Sequence, residues 1–183
     1  HIYNGPYATF LMAMAGATVI KVEPFAGENL RSRGDLGGVA LPFAMLNSNK
    51  KPVTLNLKTE KGKALLREMV ERADILVENF RGGVVDGLGI GYDALRPLNE
   101  KLISVSITGF GPTGPYAGGR VYDAVIQAVS GMSASHPSQA TGEPTLLATT
   151  VCDKLSALTA AQAISTALFA RERSGKGMRL ELA

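Results

Sequence analysis

The chain has 183 residues, a formal net charge of +3, 45% hydrophobic and 19% charged residues, a balance that suits one domain with a buried core and excludes a disordered chain. Its basic residues are scattered and Trp is absent, which argues against a nucleic-acid face; no apolar run reaches the ~18 residues of a membrane span, and no signal-peptide pattern opens the sequence. The single cysteine, Cys152, excludes an internal disulfide and fits a reducing, cytoplasmic setting.

Residues 7–15 are helical in composition, with Gly16 as their C-terminal stop. The run 17–23, ATVIKVE, reads as a buried strand. Residues 24–38 are Gly-rich and polar, hence a loop, and 41–50 can hold a helical turn. PVTLNL (52–57) alternates as a strand does. Thr59 is placed to cap a helix over 60–72, with Leu65, Leu66, Met69, Val70 and Ala73 on one face. DILVENF (74–80) and LISVSITGF (102–110) are further strands, separated by a glycine-broken stretch and a short helix over 92–100 that Pro97 makes imperfect. GPTGPYAGG (111–119) is a loop; 122–131 and 153–172 read as helices; MRLELA closes as a strand.

Strands and helices alternate, and their connections are too long for hairpins. The pattern predicts an α/β fold with a mainly parallel sheet and helices on both faces. Ligands of such a sheet gather beyond the carboxyl ends of the strands. Neither G-x-G-x-x-G at a strand-to-helix junction nor G-x-x-x-x-G-K-[ST] is present, so a standard dinucleotide or P-loop site is disfavoured. His1 and His136 sit in no ligand cluster, so no metal is expected. Cys152 lies beside Lys154, but an inert buried thiol is the better reading.

Asp153 opens a segment in which no charge follows Lys154 until Arg171. Two readings are open. Asp is a favoured N-cap for the helix that follows. Its apolar flanks, Val151, Cys152 and Leu155, instead suit a poorly hydrated carboxylate, which the helix dipole would keep ionised and which can act as a nucleophile.

Several stretches occur in order along the chain: GPYATFLMAMAGATVIKVEPFAGENLR, NSNKKPVTLNLKTEKGKALLREMVERADILVENFRGG, GLGIGYDALRPLNEKLISVSITGFGPTGPY, YDAVIQAVSGM, VCD and RSGKGMRLELA. Together they resemble the class III coenzyme A transferases of the CaiB/BaiF type, a family that includes formyl-CoA transferase, carnitine CoA-transferase and alpha-methylacyl-CoA racemases. The resemblance implies residues 1–183 as one Rossmann-like CoA-binding domain, the N-terminal portion of a truncated large domain, without the first strand and the C-terminal half. It also implies an interlocked homodimer, acyl-CoA as the substrate carrying the coenzyme, a carboxylic acid acceptor, and neither metal nor nucleic-acid or membrane partner.

In the same terms Asp153 matches the catalytic aspartate, which attacks the acyl-CoA thioester to give an aspartyl anhydride and free CoA thiolate. The resemblance sets Arg31, Leu55, Lys58, Asn79, Phe80, Arg120 and Tyr122 along the coenzyme. Arg31, Lys58 and Arg120 suit its phosphates, and Leu55 and Phe80 its adenine. The sequence departs from the pattern where Tyr3 replaces a glutamine and Gly87 a basic residue. Tyr122 stands where the racemases carry a proton-transferring histidine, which favours acyl exchange over racemisation. An acyl-CoA racemase and a CoA-binding remnant without turnover are the alternatives.

Overall fold

The computed structural model describes residues 1–33 and 40–183; residues 34–38 of the loop expected over 24–38 lie outside that set. Five strands are present among the described residues: β1 (Val19–Glu23), β2 (Lys50–Thr54), β3 (Ile75–Glu78), β4 (Ile103–Ile107) and β5 (Met178–Leu182). Every pairing is parallel, as the alternation of elements requires. The strands fall into two sheets rather than one: β1 with β2, and β3–β4–β5 with β4 in the centre.

The helices are α1 (Asn4–Met14), α2 (Leu41–Asn47), α3 (Glu60–Val70), α4 (Val84–Gly87), α5 (Tyr92–Leu95), α6 (Asp123–Val129) and α7 (Val151–Ser174). Helix α1 starts earlier than its composition suggests. Gly5 and Pro6 lie inside its first turn, where a missing proline N–H costs nothing. Gly16 follows at φ 100°, as a C-terminal stop demands. Strand β2 ends sooner than expected because Asn56 turns the chain: its side chain accepts from Lys58 N at 3.1 Å and its carbonyl from Thr59 N at 3.0 Å. Thr59 caps α3 as expected, its hydroxyl accepting from Gly62 N at 3.1 Å. Pro97 ends α5 early, and the chain passes into a 3-10 turn over Arg96–Leu98.

Two apolar clusters form the core. In one, Ile103, Val105 and Ile107 of β4 pack on Ala157, Ala160, Ile164 and Ala167 of α7 and Ala8 of α1. The alanines let the helices approach each other and the sheet closely. In the other, Leu66 and Val70 of α3 meet Leu55, Ile90, Leu95 and Leu102, with Val22, Val53 and Leu76 packed against them. Helix α7 is apolar on its outer side too: Leu155, Leu158 and Phe169 are exposed.

Side chains alternate along a strand, and the second face of β3–β4–β5 is polar. Pairing aligns Glu78 with Ser106 and Ser106 with Glu181, while Ser104 faces Arg179. A strand buried on both faces is normally apolar throughout, so this polar run marks a place other than core.

Lys50, at the start of β2, is a half-buried cation. Its Nζ donates to Pro6 O at 2.7 Å and Asn47 Oδ1 at 3.0 Å. Burial, with the charge of Lys21 adding, pushes its pKa down to about 7 from 10.5. Between those values the unfolded chain binds a proton that the folded one has released, so stability rises with pH from about 7 toward about 10. Urea midpoints measured at pH 7, 8 and 9 should climb in the unmodified protein and stay level in Lys50→Met. A level series in both would show that Lys50 keeps its ordinary proton affinity.

Candidate active site

Helix α7 begins two residues before Asp153, which makes Asp153 its third residue and not its cap. Thr150 holds the capping position but makes no side-chain capping bond. The cap comes from another element. Asp123, the first residue of α6, accepts from Asp153 N through Oδ1 at 2.8 Å. One of the orphan amides of the first turn is thereby satisfied by a carboxylate at the positive end of the helix. The expectation that Asp153 itself caps the helix is thus corrected.

The side chain of Asp153 is half-buried. Burial raises its pKa from 3.8 to about 6, and the neighbouring charge of Asp123 adds to this. Desolvation and like charge therefore outweigh the helix dipole, which acts the other way. The group is still an anion above about pH 6. It is also a more basic, more weakly solvated anion than an ordinary aspartate, and both properties favour nucleophilic attack. Cys152, beside it, is buried, and burial pushes its thiol upward, with Asp123 and Asp153 reinforcing the shift. It is a protonated thiol packed at the helix start, not a nucleophile.

Asp123 is held in turn. Its Oδ2 accepts from Gln127 Nε2 at 2.6 Å, and Gln127 is only 2% exposed. Neither residue stands out in the sequence as a site member. The available signals are the Asp of the YD pair and one amide in the apolar stretch DAVIQAV.

The residues matched to the coenzyme each follow the carboxyl end of a parallel strand. Arg31 follows β1, Leu55 and Lys58 follow β2, Asn79 and Phe80 follow β3, and Arg120 and Tyr122 follow β4. Their states differ. Lys58 and Arg120 are exposed, and Tyr122 is 67% exposed at the cap of α6. Leu55 sits in the core cluster of α3, so packing already accounts for it. Arg31 is engaged: its Nε and Nη2 donate to the two carboxylate oxygens of Glu23, each at 2.7 Å, and its guanidinium lies 4.0 Å from the Phe43 ring centroid. That bidentate pair pulls the Glu23 carboxyl below its usual range and raises Arg31.

Asn79 ties the end of β3 to the start of α1. Its Nδ2 donates to Asn4 Oδ1 at 2.6 Å and to His1 O at 2.8 Å. A Cβ on Gly5 would stand 3.0 Å from Asn79 Oδ1, so glycine is what permits this approach. Phe80 packs its ring against His1, with centroids 5.7 Å apart.

Phe80 also borders a cavity of about 290 Å³ over the polar face of β3–β4–β5, lined among others by Glu78, Ser104, Ser106, Arg179 and Glu181. Burial raises the Glu78 carboxyl above its usual range, while Ser106 and the Phe80 amide, at 2.8 Å, partly offset this. Its position at the strand ends is where ligands of parallel sheets bind. Among the described residues no group of three or more His, Cys, Asp or Glu could hold a metal ion, and no helix is long and apolar enough to cross a membrane.

The model of CoA-transferase family III matches residues 1–183. The chain belongs to CoA-transferase family III. It is 41% identical to the acetyl-CoA:oxalate CoA-transferase of Acetobacter aceti, with all of this chain and 47% of that protein aligned. It is 40% identical to the formyl-CoA:oxalate CoA-transferase of Streptomyces avermitilis, with all of this chain and 45% of that protein aligned. Among solved structures, a CaiB/BaiF family protein from Brucella suis superposes with a TM-score of 0.92 at 36% identity, covering 98% of this chain and 49% of that one. Rv3272 of Mycobacterium tuberculosis gives 0.93 at 35%, covering 99% and 51%. The α/β architecture with parallel strands is therefore that of the CaiB/BaiF proteins. This family III chain spans about half the length of the curated relatives it matches.

Proposed function

We propose that this chain carries the nucleophile and much of the coenzyme site of a CoA-transferase that moves CoA between carboxylic acids, working as a homodimer. The observation that carries the reading is the state of Asp153: half-buried at a helix start, charged above about pH 6 and more basic than a solvated aspartate. An oxygen of that carboxylate attacks the thioester carbonyl. A carbon–oxygen bond forms, the carbon–sulfur bond breaks, and the electron pair leaves on the CoA thiolate. The product is an aspartyl acyl anhydride. The acceptor carboxylate attacks its aspartyl carbonyl and expels the first acid as a carboxylate, giving a second anhydride; the CoA thiolate then attacks the acceptor's carbonyl carbon, forming the new thioester and restoring the Asp153 carboxylate. The net exchange consumes no proton and needs no metal.

For the coenzyme, Lys58 and Arg120 offer exposed cations to the phosphates. Arg31 contributes only with the part of its guanidinium that Glu23 leaves free. Asn79 and Phe80, an amide and an aromatic ring with no charge to offer a phosphate, serve the uncharged portion. The relatives named above are transferases of oxalate, which makes oxalate the first acceptor to test.

The test is chemical trapping. The protein is incubated with formyl-CoA or acetyl-CoA, quenched with hydroxylamine and digested, and the peptide holding Asp153 is examined by mass spectrometry. A hydroxamate on Asp153, formed only with acyl-CoA present, is the expected result. Coenzyme binding with no adduct would leave a CoA-binding remnant. Entry of solvent hydrogen at the alpha carbon of a 2-methylacyl-CoA, offered separately, without acyl exchange would make the protein a racemase.

A further inference from the structure

Gln127 is the most completely buried amide side chain of the described residues and sits in a short helix that is otherwise apolar around it. Its hydrogen bonds all go to the surroundings of α7's first turn. Nε2 donates to Asp123 Oδ2 at 2.6 Å and to Thr149 O at 3.1 Å, with Leu147 O at 3.5 Å. Oε1 accepts from Leu147 N at 2.8 Å. Both amide hydrogens and the carbonyl are thus used, and the side chain has one orientation that satisfies them. The segment it grips, 147–149, is the run-up to α7. The carboxylate it grips is the one whose other oxygen holds Asp153 N. We infer that Gln127 is a positioning residue for the nucleophile: it fixes the Asp123 carboxylate and the 147–149 segment together, and so sets where the Asp153 side chain points and the electrostatic field it feels.

The physical basis is the direction of each bond. A carboxylate free to rotate about its side-chain bonds could take the α7 amide in several poses. With Oδ2 fixed by Gln127, Oδ1 has one pose, and the first turn of α7 is anchored at a single place. Asp123 is also the group whose charge reaches Asp153 most directly. The other ionisable groups at this end of α7 are Cys152, kept as a thiol, and Lys154, whose Nζ donates to Thr149 Oγ1. The Gln127 donor on Oδ2 holds the Asp123 charge beside the first turn of α7. Without it the carboxylate can swing away, which relieves the repulsion felt by Asp153.

The inference rests on the proposed transferase reading, and its test is built to separate the two. Gln127→Met removes the donor and keeps the bulk. Gln127→Glu keeps the shape, and donates to Asp123 only while its own carboxyl is protonated. Two quantities are measured: the pH midpoint of carbodiimide labelling of Asp153, followed by mass spectrometry, which needs no turnover; and kcat and KM for formyl-CoA with oxalate. For Gln127→Met the midpoint should fall by at least about half a unit and kcat by roughly 10²-fold, with KM within about threefold. Measured against the unmodified protein at the same pH, Gln127→Glu should approach equal turnover in acid and fall behind as pH rises, with circular dichroism unchanged over the same range. Equal losses of kcat and of folded fraction, with the labelling midpoint unmoved, would reduce Gln127 to a structural residue and overturn the inference. If the unmodified protein forms no Asp153 adduct, the transferase reading falls, while the labelling midpoints still decide whether Gln127 governs Asp153.

Discussion

Asparagine in place of Asp153 should abolish acyl transfer and make the protein more stable. The loss follows from the chemistry: an amide oxygen cannot form the anhydride, and removal of a covalent nucleophile costs several powers of ten in rate, roughly 10³-fold or more. The gain follows from linkage. Asp153 is raised from 3.8 to about 6 in the folded state, so between those values the folded protein binds a proton that the unfolded chain has lost. Stability contributed by this group therefore falls as pH rises from about 4 to about 6, and the full penalty persists above that. The interval sets a ceiling of about 3 kcal/mol. Solvent screening of a half-buried carboxylate brings the expected gain nearer 1–2 kcal/mol, a rise in Tm of a few degrees for a chain of this size. Melting curves at pH 7.5 and pH 4 check it. Asn should raise the Tm at the first and leave it nearly unchanged at the second. An Asn variant that is less stable at pH 7.5 would show that the carboxylate is well accommodated, and the poorly solvated anion proposed as nucleophile would go with it.

Alanine in place of Gly177 should unseat β5. Gly177 enters that strand with its N–H on Glu100 O at 2.8 Å, and the next residue, Met178, donates to Leu102 O at 3.1 Å. A Cβ on Gly177 would lie 2.1 Å from Leu102 O and 2.5 Å from the carbonyl carbons of Leu102 and Lys101. All three are backbone atoms at the entry of the central strand β4, and Leu102 is itself buried. No side chain can move aside, so relief has to come from opening the β4–β5 pairing or from displacing β4 against α7. Overpacking a tight interior costs typically 1–3 kcal/mol, and a clash with immobile backbone belongs at or above the upper end. The expected loss is about 3 kcal/mol, a fall in Tm of roughly 6–12 °C. Thermal melts measure it, and amide exchange should show β5 opening first. A Tm within about 2 °C of the unmodified protein would mean that β5 can be shifted without cost.

Much of the fold was legible along the chain because local chemistry and global architecture agree there. Thr59 caps α3, Gly16 stops α1, and Pro97 cuts α5 short, each through its own backbone preference. Short β-branched runs separated by helical stretches lead to parallel pairing, which is what every register shows. Boundaries slipped where a polar side chain turned the chain, as Asn56 does after β2. The division of the strands into two sheets was not legible, since it depends on which edges meet in space.

Residue types and their order determined by themselves the parallel α/β pattern, the family of the chain and the candidacy of Asp153. The tertiary structure alone decided what Asp153 is. Asp123, thirty residues earlier, takes over the capping of α7, and Gln127 fixes that cap against residues 147–149. It likewise decided that Arg31 is committed to Glu23 rather than free. A carboxylate's basicity and a guanidinium's availability are set by dehydration, by charges within a few ångströms and by hydrogen bonds from other elements, all of them distances that appear only once the chain has folded.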